Sequence, residues 1–175
     1  GDFEIVGFGE NAVDWVCSVA EYPPHDSKVR MESMVRMGGG TIATACTLCA
    51  RWGIRTRYVG RVGNDEAGEF SRRDLTREPM DVVMDMVPES VTHFSLIIVD
   101  RATGKRTILW DHDPKLSYDR GDIPLGKLLS AQLLLLDATD PSASVVVSEE
   151  ARNAGVLTML DIDRVTPESG QLLSL

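Results

Sequence analysis

Disulfide chemistry, long apolar runs and surplus positive charge are all missing from this sequence, and each absence closes off a class of function. Cysteine occurs three times, at Cys17, Cys46 and Cys49. An odd number does not suggest the paired framework of a small secreted domain. Cys46 and Cys49 form a C-x-x-C, but no second such pair and no histidine at zinc-ligand spacing accompanies them. Packing within a helix is therefore expected of them, not metal or redox work. The strongest apolar run, Leu133 to Leu136 with its neighbours, falls far short of the roughly 20 residues a bilayer requires. The opening Gly-Asp-Phe-Glu lacks the basic start and long apolar core of a secretory signal. A cytoplasmic location without a membrane partner is the expectation. Lys and Arg number 18 against 27 Asp and Glu, a formal charge of −9. Nucleic-acid binders usually present a basic face that releases counterions, so small molecules or proteins are the expected partners.

What is present suits one domain with a core, since 175 residues are 43% hydrophobic and 26% charged. The chain is organised around residues 37–53, Met-Gly-Gly-Gly-Thr-Ile-Ala-Thr-Ala-Cys-Thr-Leu-Cys-Ala-Arg-Trp-Gly. Consecutive glycines let a ligand lie against peptide N–H groups. Small and apolar residues at three- and four-residue spacing (Ile42, Ala45, Cys46, Cys49, Ala50) then predict a helix stopped by Gly53. Its first-turn N–H groups would point back at the glycines and could bind polyol or anion oxygens. A tight turn that packs a helix on a strand explains the same glycines without any ligand.

Upstream, Phe3 to Gly9 reads as an apolar strand ending in glycines, the edge where open α/β sheets place ligands. Asn11 to Asp14 follow at once. A carboxylate there could accept bonds from sugar hydroxyls, or serve as a cap or a solvated charge. Residues 21–27 read as a loop, and alternation over 28–37 predicts an exposed strand. Downstream, strand 56–60 precedes a helix capped by Asn64 and reaching about Arg77. Three strands without helices, 82–87, 93–99 and 105–110, predict a small appended antiparallel sheet, its last two strands joined by a hairpin at 100–104. Alternation would give that sheet an apolar face of Phe94, Leu96, Ile98, Ile108 and Trp110. From Asp122 an α/β rhythm returns: a short helix, strand 133–137, helix 142–154, strand 156–161 and a helix start at Thr166-Pro167-Glu168. A dinucleotide site is disfavoured, because Gly7-x-Gly9 lacks a third glycine.

The order of these pieces resembles the amino-terminal part of a ribokinase-like (PfkB) carbohydrate kinase. The resemblance is carried by Gly7-Phe8-Gly9 with Asp14, by Gly39-Gly40 and the helix ending Arg51-Trp52-Gly53, and by Val59 to Gly68. Thr92, the hairpin through Asp100 and Gly104 to Thr107, and Asp161 continue it. It implies a three-layer α/β core around a parallel sheet, incomplete in this chain, with a small β-sheet lid in strands within about 22–37 and 92–112. By the same resemblance Asp14, Gly38, Gly39, Gly40 and Thr44 bind substrate, and His93, Arg106, Trp110 and Asp137 are possible lid or selector residues.

Three departures stand out. Thr44 occupies the place of a substrate-binding Asn, Glu78-Pro79-Met80 lies where relatives have glycine, and Asp161-Ile162-Asp163-Arg164 only partly matches Asp-x-Asn-x-Arg. A larger one is the absence of the family's Gly-Ala-Gly-Asp motif, whose Asp is the general base; its place would lie beyond Leu175. The resemblance thus implies a kinase that transfers phosphate from ATP, with Mg²⁺, to a sugar-like hydroxyl, this chain supplying the sugar-binding half and inactive alone. A non-catalytic sugar- or nucleoside-binding module is the alternative. A homodimer joined through the lid is also expected by resemblance.

Overall fold

The structure is a computed structural model describing residues 2–163, 165, 167 and 169–174. The first half of the chain forms β1 (Phe3–Phe8), β2 (Ala12–Val19), β3 (Ser33–Gly39), α1 (Thr41–Arg51), β4 (Thr56–Gly63) and α2 (Glu66–Leu75). There follow β5 (Asp81–Val87), β6 (Phe94–Asp100), β7 (Arg106–Asp111), α3 (Leu125–Leu128), β8 (Ala131–Asp137), α4 (Pro141–Asn153), β9 (Leu157–Asp161) and α5 (Ser169–Leu173). The expected helix start at Thr166 to Glu168, and any role of Arg164, fall on positions outside the described residues.

Strands β1 and β8 are apolar along nearly their whole length, and such strands need cover on both faces. They receive it. A parallel sheet of order β5-β4-β1-β8-β9 is the middle of three layers. On one face Val6, Phe8, Leu134 and Leu136 pack with Leu128 of α3 and Ala143, Val147 and Ala151 of α4. On the other, Tyr58 and Leu135 pack with Ile42, Ala43 and Cys46 of α1 and Leu75 of α2. Burial there pushes the Cys46 thiol up to about 12, so it stays protonated and packs as a small hydrophobe. The fold is thus mixed α/β with a parallel five-stranded sheet and a second, smaller one.

The small sheet has the order β3-β2-β6-β7 and differs from the sequence expectation in four ways. Its second strand, β2, covers residues for which no strand was expected: only three residues after β1 the chain leaves the parallel sheet, and Asp14 sits mid-strand. Strand β5 belongs to the edge of the parallel sheet beside β4, and β2 pairs parallel to β6, so the small sheet is mixed. Register also divides the expected apolar face. Ile108 opposes Ile97 and Trp110 opposes Ser95, placing both with Asp14, whereas Leu96 lies between Trp15 and Leu109 on the opposite face.

The glycine run divides too. Gly38 and Gly39 end β3, paired with Val13 and Ala12, and only Gly40 turns, at φ 89°. Helix α1 stops as expected, with Gly53 at φ 83°. Helix α2 is capped by Asp65, not Asn64: its carboxylate accepts from the Gly68 N–H at 2.7 Å and from Thr92 Oγ1 at 2.6 Å.

Candidate functional site

The chain runs from β1 to β4 and β5 on one side and returns to β8 and β9 on the other. The crevice at the carboxyl end of β1 is therefore a topological switch point, where open α/β sheets take ligands. Here Glu10, the second residue past β1, joins four elements. Its N–H donates to Asp137 Oδ2 at the end of β8, 2.7 Å away. Its carbonyl accepts from the Ala43 N–H at 3.1 Å. Its carboxylate accepts from the Thr41 N–H at 3.3 Å and meets His93 Nδ1 at 3.0 Å. The first turn of α1, expected to face a ligand, is thus partly satisfied by the protein itself.

His93 precedes β6 and is buried. Its Nδ1 lies 3.4 Å from that of His112, and its ring is 6.0 Å from that of Trp110. Next to Glu10, Asn11 is committed to structure: its amide donates to Tyr58 Oη at 2.6 Å and accepts from the Ser71 hydroxyl at 3.0 Å.

A cavity of about 380 Å³ opens between this crevice and the small sheet, lined by Glu10, Asp14, Gly40, His93, Ser95 and Trp110, among others. Its volume is that of a small ligand site. Asp14, Ser95 and Trp110 stand in one row across β2, β6 and β7. Burial raises the Asp14 carboxyl above its ordinary range; the Ser95 hydrogen bond opposes the rise, the Glu10 charge adds to it and His93 opposes it. A side chain at Gly39 would collide with the Asp14 carboxylate, so glycine there is what lets β3 lie against it.

Asp14, Gly40, His93 and Trp110 are therefore brought to one cavity. Gly38, Gly39 and Thr44 line a different one, of about 400 Å³, between β3, α1 and α2, together with Arg36, Phe70 and Asp74. Arg106 lies on the Asp14 face but lines neither. Asp137 lies beside Glu10, in a smaller pocket that Glu10 and His93 share with Asn11, His112 and Tyr118. Burial pushes its carboxyl up to about 6, against the hydrogen bonds from Glu10 and Thr139. Glu10 and Ser95 were not identified from sequence; the one available signal was a carboxylate immediately after a strand-ending Gly-x-Gly. Among the described residues no three His, Cys, Asp or Glu side chains converge to hold a metal, and no helix is long and apolar enough to cross a membrane.

Comparison with known proteins adds an independent line. Residues 2–167 match the pfkB family carbohydrate kinase profile. A nucleoside kinase of Methanothermobacter thermautotrophicus is 24% identical over 161 residues, which cover 91% of this chain and 52% of the relative. Fructokinase-1 of Oryza sativa is 27% identical, with 97% and 49% covered. The solved structure of Arabidopsis thaliana ribokinase complexed with ribose and ATP superposes with a TM-score of 0.81 at 20% identity, over 99% of this chain and 58% of that one. The chain spans about half the length of the curated relatives it matches.

Proposed function

Because the chain belongs to the pfkB family of carbohydrate kinases, we propose that it forms the acceptor-binding half of an ATP-dependent kinase for a sugar or sugar-like polyol. One observation carries the reading. A half-buried carboxylate, Asp14, faces a cavity of small-ligand size at the switch point of the sheet. Such a carboxylate accepts hydrogen bonds from sugar hydroxyls without moving, and two bonds to one acceptor fix its orientation as well as its affinity. The Gly40 turn brings the start of α1 against the same space, and the small sheet acts as the lid that excludes water during transfer. ATP and Mg²⁺ are the expected co-substrate and metal, Mg²⁺ neutralising charge on the phosphates. No residue of this chain is assigned to Mg²⁺ or to the base that takes the hydroxyl proton. The 175-residue chain made alone is accordingly expected to form no sugar-dependent ADP. Its three free thiols fit a reducing, cytoplasmic setting.

The test uses the complete product of the gene. A screen of sugars and nucleosides with ATP should find an acceptor. Asp14→Ala should then weaken its binding by roughly 1.5–3 kcal/mol per charge-assisted bond lost. Loss of orientation should lower kcat/KM further while the KM for ATP hardly moves. Thr44→Ala, in the separate cavity between β3, α1 and α2, should leave acceptor binding nearly unchanged. A lowered melting temperature with an unchanged sugar KM in Asp14→Ala would make Asp14 a structural residue and overturn the assignment.

A further inference from the structure

We propose that the Asp14 cavity selects its acceptor by charge, with Glu10 as the specificity-determining residue: it takes uncharged polyols or amine-bearing sugars and rejects sugar phosphates and sugar acids. The proposal rests on the acceptor-binding reading above and deepens it. In an α/β fold an anion is ordinarily held at a helix N-terminus beside a glycine turn, where free N–H groups and the helix dipole favour negative charge. In this chain that position is already taken. The Thr41 N–H at the start of α1 donates to the Glu10 carboxylate, and the Ala43 N–H to the Glu10 carbonyl. Glu10 cannot easily swing aside, because Asp137 holds its backbone N–H and His93 holds its other carboxylate oxygen.

Asp14 faces the same cavity, and its carboxyl is raised in part by the Glu10 charge. A protonated His93 would bring one positive charge against the three carboxylates of Glu10, Asp14 and Asp163. Among the described residues lining this cavity there is no Lys or Arg. Arg106, the one cation among the strand residues on that face of the small sheet, stands four residues from Trp110, roughly 13 Å along the strand. An entering phosphate or carboxylate would therefore meet like charge, with no Lys or Arg among the described lining residues to offset it, which is how a site rejects a competitor. An ammonium group meets the carboxylates of Glu10, Asp14 and Asp163 and the exposed Trp110 ring, all attractive to a cation.

The test measures acceptor binding calorimetrically on the complete gene product without ATP, using ribose against ribose 5-phosphate, fructose against fructose 6-phosphate, glucose against gluconate, and glucose against glucosamine. Each anionic member should bind about tenfold or more weakly than its neutral counterpart, and glucosamine at least as tightly as glucose. Glu10→Gln, whose side-chain carbonyl can still accept from Thr41, should narrow the neutral-to-anionic gap. Asp14→Asn should narrow it as well and serves if Glu10→Gln does not fold. An anionic member that binds as well as its neutral counterpart overturns the proposal, as does a gap unchanged in a folded variant, or binding by no member of the panel. Because ATP is absent, the two readings fail separately: neutral sugars that bind but are not phosphorylated when ATP is added overturn the kinase reading and leave charge selection standing.

Discussion

Asp137 keeps its carboxyl where burial opposes its charge. The group is 5% exposed, and although it accepts N–H bonds from Glu10 and Thr139, burial lifts it from 3.8 to about 6. A folded-state value above the unfolded one means the fold prefers the protonated form. Its favourable contribution is fully present below pH 3.8 and is lost as pH rises through 6. Wild type should therefore gain about 1.4 kcal/mol between pH 7 and pH 5 that Asp137→Asn does not gain. Urea unfolding of both proteins at the two pH values measures the difference, and parallel pH dependence would refute the raised value. Asp14 and Asp137 could be singled out from sequence because each is a carboxylate at or just past the end of an apolar strand. Glu10 could not. Its partners are Asp137, His93 and the first turn of α1, and no local pattern reports a meeting of residues so distant in the chain.

Among the elements, the turn into α1 depends on one residue. Gly40 has φ 89°, and a Cβ there would lie 2.5 Å from the Asn11 Cα and 2.7 Å from the Glu10 carbonyl oxygen, both backbone atoms. Gly53, at the other end of the helix, has φ 83° but open space around it. Alanine at Gly53 should cost only backbone strain, about 1 kcal/mol. At Gly40 strain and collision combine, for roughly 3 kcal/mol. Thermal melts should separate the variants by about 4–8 °C, and equal losses would mean that the β1–β2 turn yields to the added carbon. Both α1 and its stop were legible, because helical spacing and a C′ glycine are local signals. Strand β2 was not: Asn11 to Asp14 directly follow a glycine-ended strand, and although Val13, Cys17 and Val19 are buried at alternate positions, Trp15 between them is exposed. The placement of β5 was hidden for another reason. Its sequence specifies a strand but not a partner, and only the fold decides that it extends the parallel sheet beside β4.

For the whole molecule the unresolved demand is the small sheet, which exposes apolar side chains on both faces. Trp15, Met34 and Leu109 are exposed on one. On the other, Val35, Val16, Ile97 and Ile108 form an unbroken apolar row across all four strands, beside the row that holds Asp14. Val35 and Ile108 are 53% and 44% exposed. A four-stranded sheet wet on both faces gains little from burial and offers contiguous apolar surface to a partner. We expect a second copy to cover the Asp14 face, so that the lids of two subunits close over each other's cavities. In a two-fold interface every substitution acts twice. Ile108→Glu, placing a charge in that row, should cost roughly 2 kcal/mol per copy and weaken dimerisation by about a thousandfold. Sedimentation at high micromolar concentration should show wild type as a dimer and Ile108→Glu as a monomer with a near-native melting temperature. A monomeric wild type would refute the dimer, and a variant that stays dimeric would move the interface to the face of Trp15 and Leu109. Because Ile108 itself lines the acceptor cavity, sugar affinity is compared in wild type above and below the concentration at which the dimer dissociates. Sugar affinity that falls only when the dimer dissociates would mean that the partner's lid completes the site.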